Sequence, residues 1–225
     1  SCSDLLLLSF DDGYKDHLYC AEFLRSENIN AYFFIPVSST TGNLLEVNCA
    51  HYLIGSREHL PKDIFEFIVK TCKHEKIIIK YKEKYLYIDE YLKVASNDNR
   101  YDNNLINLIK RLMQRDISND VQRKDLCEKL LNQFNNISGK ELSKELYLSN
   151  SDIFAMKEMG MVFGGHGFTH RWMGNLTFQE KKEEIFKSRE YLLTNKLINP
   201  GERIAYCYPY GDYDNEILEL MSDLK

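Results

Sequence analysis

Two adjacent carboxylates, Asp11 and Asp12, close the stretch 5–13, "LLLLSFDDG". Two imidazoles four residues apart, His166 and His170, lie in "GGHGFTH". Two imidazoles and one carboxylate are a common facial set for a divalent metal with open positions. Asp12, His166 and His170 can supply that set. A metal so held keeps positive charge, can lower the pKa of water from 15.7 to about 7, and polarises a carbonyl. A second carboxylate beside the metal, but not on it, can take the water's proton. An adjacent Asp pair, one on the metal and one as base, fits that division of labour. The oxyanion of a tetrahedral intermediate then needs an N–H donor. In the turn "YPYG" over 208–211, Tyr210 can present its backbone N–H, whereas Pro209 has none. Taken alone, "DDG" reads as a helix N-cap and HxxxH as two surface or capping histidines. The three stretches together point to metal-assisted hydrolysis.

These groups need elements that bring them together. Four consecutive leucines predict a strand over 5–10, covered on both faces as in a parallel sheet. Gly13 permits a sharp turn into a helix over 15–27, with Leu18, Ala21, Phe23 and Leu24 on its apolar side. "AYFFI" predicts a second strand over 31–35, ended by Pro36, which completes a βαβ unit with parallel strands. A strand over 161–163 runs into the histidine loop. A fourth, over 204–207, runs into "YPYGDYDNE". A capping box at Thr177 and Glu180 opens a helix over 177–195. A short helix over 151–158, capped by Ser151, precedes the histidine strand, and a last helix covers 214–225. "FDDG", the histidine loop and "YPYG" thus each follow a strand and precede a helix. In a parallel sheet all three face the same end, where chemistry collects.

Between 37 and 149 the βα alternation stops. Helical spacing appears over 60–73 (Ile64, Phe67, Ile68, Cys72), 105–115, 121–134 and 140–147. A helix is expected from Tyr85 on, residues 77–81 are open between strand and helix, and "ASNDNRYDNN" is a polar break. The domain reading is therefore an α/β domain formed by 1–36 and 150–225, and a mainly helical insertion over 37–149. The insertion suits a lid, a substrate-selecting cap or a homo-oligomer contact.

The 225 residues allow one sizeable core with an appendage. A net charge of −5 argues against a general nucleic-acid surface. No apolar run approaches membrane-spanning length, and residues 5–8 are too short, and lack preceding basic residues, for a signal peptide. Ser1 in place of a methionine indicates a processed or trimmed start. The six cysteines are scattered without a CxxC pair, which predicts reduced thiols and a cytoplasmic protein. The "EKKEE" run over 180–184 reads as a solvated helix face. Trp172, Tyr208 and Pro209 are candidate substrate contacts.

"LSFDDG", "HGFTH" and "YPYGDY", in this order, resemble the first three motifs of the polysaccharide deacetylases with the NodB-homology domain (carbohydrate esterase family 4). The likeness spans about residues 4–36 and 150–215. It implies a distorted (β/α) barrel and hydrolysis of the N-acetyl group of an N-acetylated sugar, as in surface-glycan biosynthesis. It implies Asp11 as general base, with Asp12, His166 and His170 on zinc or a related ion (cobalt, nickel or manganese). Thr169 would brace the loop and Tyr210 would give the oxyanion N–H.

Two departures stand out. Cys207 occupies the place where the family usually carries an arginine that orients the base. The later motifs, with the histidine that protonates the leaving amine, do not appear before Lys225. The expected fold is thus an incomplete or distorted barrel, either a fragment or one completed by the insertion and a partner chain. Of the remaining histidines, His51 is nearest to the site by topology, while His17 falls on the first helix, away from the strand ends. Two other functions stay open: a non-catalytic glycan- or protein-binding domain, and an amidohydrolase acting on a small non-sugar amide.

Overall fold

The computed structural model describes residues 6–55, 60–95 and 104–223. In chain order the elements are β1 (Ser9–Phe10), α1 (His17–Ser26), β2 (Tyr32–Ile35), α2 (Glu46–Gly55), α3 (Pro61–His74), β3 (Ile79–Tyr81), β4 (Lys84–Leu86), α4 (Ile88–Ala95), α5 (Asn104–Arg111), α6 (Asp120–Asn135), α7 (Gly139–Leu146), α8 (Asn150–Glu158), β5 (Val162–Gly165), α9 (Phe178–Thr194) and α10 (Asn215–Ser222). They form two compact units, one of residues 1–43 with 143–225, the other of residues 44–142.

The first unit holds an all-parallel sheet in the order β1-β2-β5. Its register aligns Phe10 with Phe33 and Phe33 with Phe163, so three aromatic rings form a row across one face. Phe10 and Phe33 stack at 4.8 Å. The row sits in a core with Ala21, Leu24, Met156 and Leu192. The same register ends β2 at Ile35 opposite Gly165. Asp11, Pro36 and His166 therefore leave the sheet from one edge, as the shared strand-end address requires. α9 starts at a Thr177–Glu180 capping box, as the sequence predicts, and packs on β5. α8 has its own box, closed by Ser149 and Asp152. The cap is thus Ser149, not Ser151, because Asp152 stands three residues after Ser149 and can bond back to it.

Several expectations are corrected. Leu5 lies outside the described residues, and Leu6 and Leu7 are 86% and 69% exposed. β1 is the edge strand and pairs only over Ser9 and Phe10, so Leu6 and Leu7 precede the ladder instead of entering a covered sheet, while Leu8 packs on the core. Phe23 on α1 also faces solvent. Residues 204–207 do not extend the sheet by a full strand: one parallel bridge joins Tyr206 to Gly165. Among the described residues the sheet is open and three-stranded, with that single bridge beside β5. The α/β class stands; a closed barrel is not seen.

The second unit is mainly helical. α3 buries Ile64, Ile68 and Cys72, and packs on α5 and α6, while α2 packs on α6. Residues 79–86 form an antiparallel hairpin, so Tyr85 and Leu86 are strand and the helix begins at Ile88. Lys82 and Glu83 both take positive φ in its tight turn. Such turns favour Asn-Gly, and "KE" carries no such signal. The helix expected over 105–115 ends at Arg111, and Leu112–Asp116 is a π-helical turn. There Asp116, 2% exposed, accepts from the Tyr91 hydroxyl at 2.7 Å and from Arg111 and Arg115. A buried carboxylate of this kind needs such partners to stay charged. Most of the polar break, residues 96–103, lies outside the described residues, as do Cys2 and His59. The five described cysteines are free thiols. No described helix is long and apolar enough to cross a membrane.

Candidate metal and hydrolytic site

Three loops meet at the carboxyl edge of the sheet. Asp12 follows β1, His166 and His170 follow β5, and Tyr210 lies in the 3-10 turn Pro209–Gly211. Asp12 Oδ1 stands 3.4 Å from His166 Nε2 and 3.1 Å from His170 Nε2, and the two Nε2 atoms are 3.2 Å apart. His166 is 2% exposed, His170 8%. Ligands held at about 2.0–2.2 Å by one ion lie about 2.8–3.1 Å from each other as octahedral neighbours and about 3.3–3.6 Å in a tetrahedral set. The sides of the triangle fall within that span. Asp12 Oδ1 is buried and no hydrogen bond satisfies it. His166 Nδ1 meets the Cys207 carbonyl oxygen at 2.7 Å. The donor set therefore fits a divalent cation.

Electrostatics agree with the geometry. Burial opposes the charged form of Asp12, yet the His166 and His170 imidazoles facing it hold its carboxyl well below the usual range. Burial likewise works against a charged His166, but Asp12 and Cys207 outweigh it and push the imidazole up to about 10. An electron-rich triad of this kind attracts a proton or a cation.

Asp11 is exposed, and one of its carboxylate oxygens lies within 4.8 Å of ligand atoms of both His166 and Cys207. It is thus adjacent to the triad without belonging to it. Tyr210 reaches the triad from the third loop: its ring meets His170 edge-on at 4.8 Å and stacks on Trp172 at 4.3 Å. Trp172 therefore has one face against Tyr210. Tyr208 is half-buried and stacks on Tyr213 at 5.1 Å. Pro209 is buried beside Gly167. Asp12, His170 and Tyr210 all take left-handed backbone, with φ of 68°, 60° and 60°. Non-glycine residues adopt it rarely and at a cost, and such positions cluster at functional sites.

Two positions depend on glycine. A Cβ on Gly164 would fall 2.6 Å from the Ala205 carbonyl oxygen and meet the Phe34 ring, so the third loop's chain can run this close to β5 because residue 164 has no side chain. Gly167 has φ of 75°, and a Cβ on it would lie 3.0 Å from Glu184 Oε2.

Glu184 was concealed in the sequence. The run 180–184 does not form a solvated face: Lys181 and Glu184 are buried. Lys181 ties α9 to Asp214 and Glu216 at 2.5 and 2.6 Å. Glu184 accepts from the Phe168 and Thr169 amides at 2.7 and 2.8 Å, and from the Thr169 hydroxyl. Thr169 does brace the loop, with α9 as its anchor. The signal was available in part, because Lys181, Glu184, Ile185 and Ser188 share one helical stripe and all are buried. Tyr14 is a second omission. Burial and the charge of Asp12 raise its pKa, and its hydroxyl bonds to that carboxylate.

His17 corrects the sequence reading, since it begins α1 directly after the Asp turn. Its ring lies 5.5 Å from Phe10 and 5.7 Å from Phe33, at the strand ends rather than away from them. Burial lowers its pKa, with Asp11 and Asp12 opposing. His51 is exposed on α2, in the other unit.

A family model described as polysaccharide deacetylase matches residues 133–225. The match takes in the histidine loop and "YPYG", while Asp11 and Asp12 precede it. Among curated proteins no sequence matches the chain. A solved structure, the Streptococcus pyogenes deacetylase PplD in complex with acetate, aligns with 100% of this chain and 81% of its own, at 14% identity and a TM-score of 0.36.

Proposed function

We propose, from the polysaccharide deacetylase family model that matches residues 133–225, that the chain is a metal-dependent hydrolase removing the N-acetyl group from an N-acetylated sugar or polysaccharide of a surface glycan. The observation that carries the reading is the triangle of Asp12, His166 and His170, with sides of 3.1–3.4 Å and a second carboxylate beside it.

In this reading Asp12, His166 and His170 hold a divalent ion, and zinc suits two imidazoles and a carboxylate best. The ion supplies Lewis acidity, acidifying water and polarising the acetyl carbonyl. Asp11, exposed and free of the triad, takes a proton from the attacking water. The Tyr210 backbone N–H donates to the oxyanion of the tetrahedral intermediate. Collapse breaks the C–N bond and gives acetate and a free amine. The proton gained by Asp11 balances the one the leaving nitrogen requires. The Cys207 carbonyl holds the His166 ring by its Nδ1, which leaves Nε2 for the ion. Trp172, Tyr208 and Pro209 are proposed to border the sugar, and the second unit to act as the inserted cap.

The test combines metal analysis of the purified protein with acetate release from N-acetylated oligosaccharides. One bound divalent ion and acetate release that is lost with chelator and restored by zinc support the reading. A protein that neither holds nor takes up metal overturns it. Metal without acetate release from any sugar favours the non-catalytic or small-amide alternatives, and Cys207 in place of the base-orienting arginine speaks for the non-catalytic one.

A further inference from the structure

Glu184 lies on α9, 5% exposed, and points its carboxylate into the turn that carries the histidines. Three bonds converge on it. Oε2 accepts from the amides of Phe168 and Thr169 at 2.7 and 2.8 Å, and Oε1 accepts from the Thr169 hydroxyl. The other side of the turn is held too: the Gly167 carbonyl accepts from the Val37 amide at 3.3 Å and the Phe168 carbonyl from the Ser38 amide at 2.8 Å. Consecutive backbone N–H groups converging on one anion form a nest, and here the anion is the protein's own side chain. A Cβ on Gly167 would press on Glu184 Oε2, so the glycine and the glutamate fit as a pair.

The residue that follows this nest is His170, whose φ is 60°. A left-handed histidine persists only where its surroundings over-determine it. The nest fixes the 167–168 and 168–169 peptide groups, which lead into the Thr169–His170 link.

We propose that Glu184 is a positioning residue: by binding the Phe168 and Thr169 amides it imposes the left-handed turn that presents His170 to Asp12 and His166, and so sets the site's metal affinity. The proposal rests on the metal reading given above. It assigns to a buried helix carboxylate a role beyond helix packing, namely the pre-organisation of a ligand that it reaches through the Phe168–Thr169 backbone.

Zinc dissociation constants, measured by chelator competition, and amide hydrogen exchange of the metal-free protein test it in wild type, Glu184→Ala, Glu184→Gln and Thr169→Val. Glu184→Ala is expected to weaken zinc binding by about 10–100-fold and to speed exchange at Phe168 and Thr169. Glu184→Gln keeps an oxygen for the two amides, and its NH2 can donate to the Thr169 hydroxyl, so it should restore both readouts. If Glu184→Ala does not fold, Thr169→Val, which removes one of the three bonds, should still weaken zinc binding several-fold. Unchanged exchange and affinity in Glu184→Ala, or in Thr169→Val where it stands in, overturns the proposal. A wild type that takes up no zinc while Glu184→Ala still deprotects the two amides overturns the metal reading and leaves the turn assignment standing.

Discussion

His166 Nδ1 donates to the backbone carbonyl of Cys207 at 2.7 Å. A carbonyl can only accept, so Nδ1 carries a proton, and it is Nε2, facing Asp12 and His170, that offers a lone pair once its own proton leaves. One main-chain oxygen thus sets the tautomer of a side chain on a different loop. It also gives residue 207 a structural task that its thiol does not perform.

Removing one corner of the triangle should abolish tight metal binding. For His170→Ala the expected loss of zinc affinity is more than about 100-fold, above the range for indirect partners. Competition titration on the folded variant measures it, and affinity equal to wild type would remove His170 from the set.

Asp11→Asn keeps the shape of the side chain and removes its basicity. Acetate release should fall by about 10²–10⁴-fold, with one metal still bound per chain. Equal loss of metal and of rate would place Asp11 on the ion instead of beside it.

Tyr14 bonds the carboxylate of Asp12, and Tyr14→Phe deletes only that hydroxyl. Partners of this kind orient a ligand, and their loss weakens metal binding by about 10-fold or more. The thermal midpoint should change little, which separates the effect from general destabilisation.

Glu180 provides a pH-dependent term. Burial raises its pKa, but bonds from the Thr177 hydroxyl and amide, with Arg171 nearby, bring it below the ordinary glutamate value. The unfolded chain therefore binds this proton more readily than the folded one. The stabilisation is present above the ordinary glutamate pKa of about 4.3 and is lost as the pH falls through the lower folded value. The difference in melting temperature between wild type and Glu180→Gln should be largest near neutrality and close on acidification. A difference that grows in acid would refute the sign.

Site topology was legible because chemistry-bearing residues sat directly after strand patterns. Phe10, Ile35 and Gly165 end their strands at one edge, and "DD", "HGFTH" and "YPYG" follow. The capping box at Thr177 was legible for the same reason, since its residues are local. What was not legible depends on partners distant in sequence. Leu6 and Leu7 look like core, yet core requires a covering element at that edge. Glu184 looks like surface because its neighbours Lys182 and Glu183 are polar, and only the loop folded against α9 makes it internal. The bridge at Tyr206 replaces a predicted strand because ladder length depends on both chains, and Gly165 alone exchanges bonds with it.

Asp12, His170 and Tyr210 each occupy backbone that glycine would adopt freely. At about 1–3 kcal/mol apiece, these positions oppose folding in a molecule whose class has about 5–15 kcal/mol to spare. Selection for thermal tolerance alone would therefore drift towards glycine at residues 12 and 170. The hardiest descendants of such an experiment would melt later than the parent and keep only His166 of the three proposed ligands.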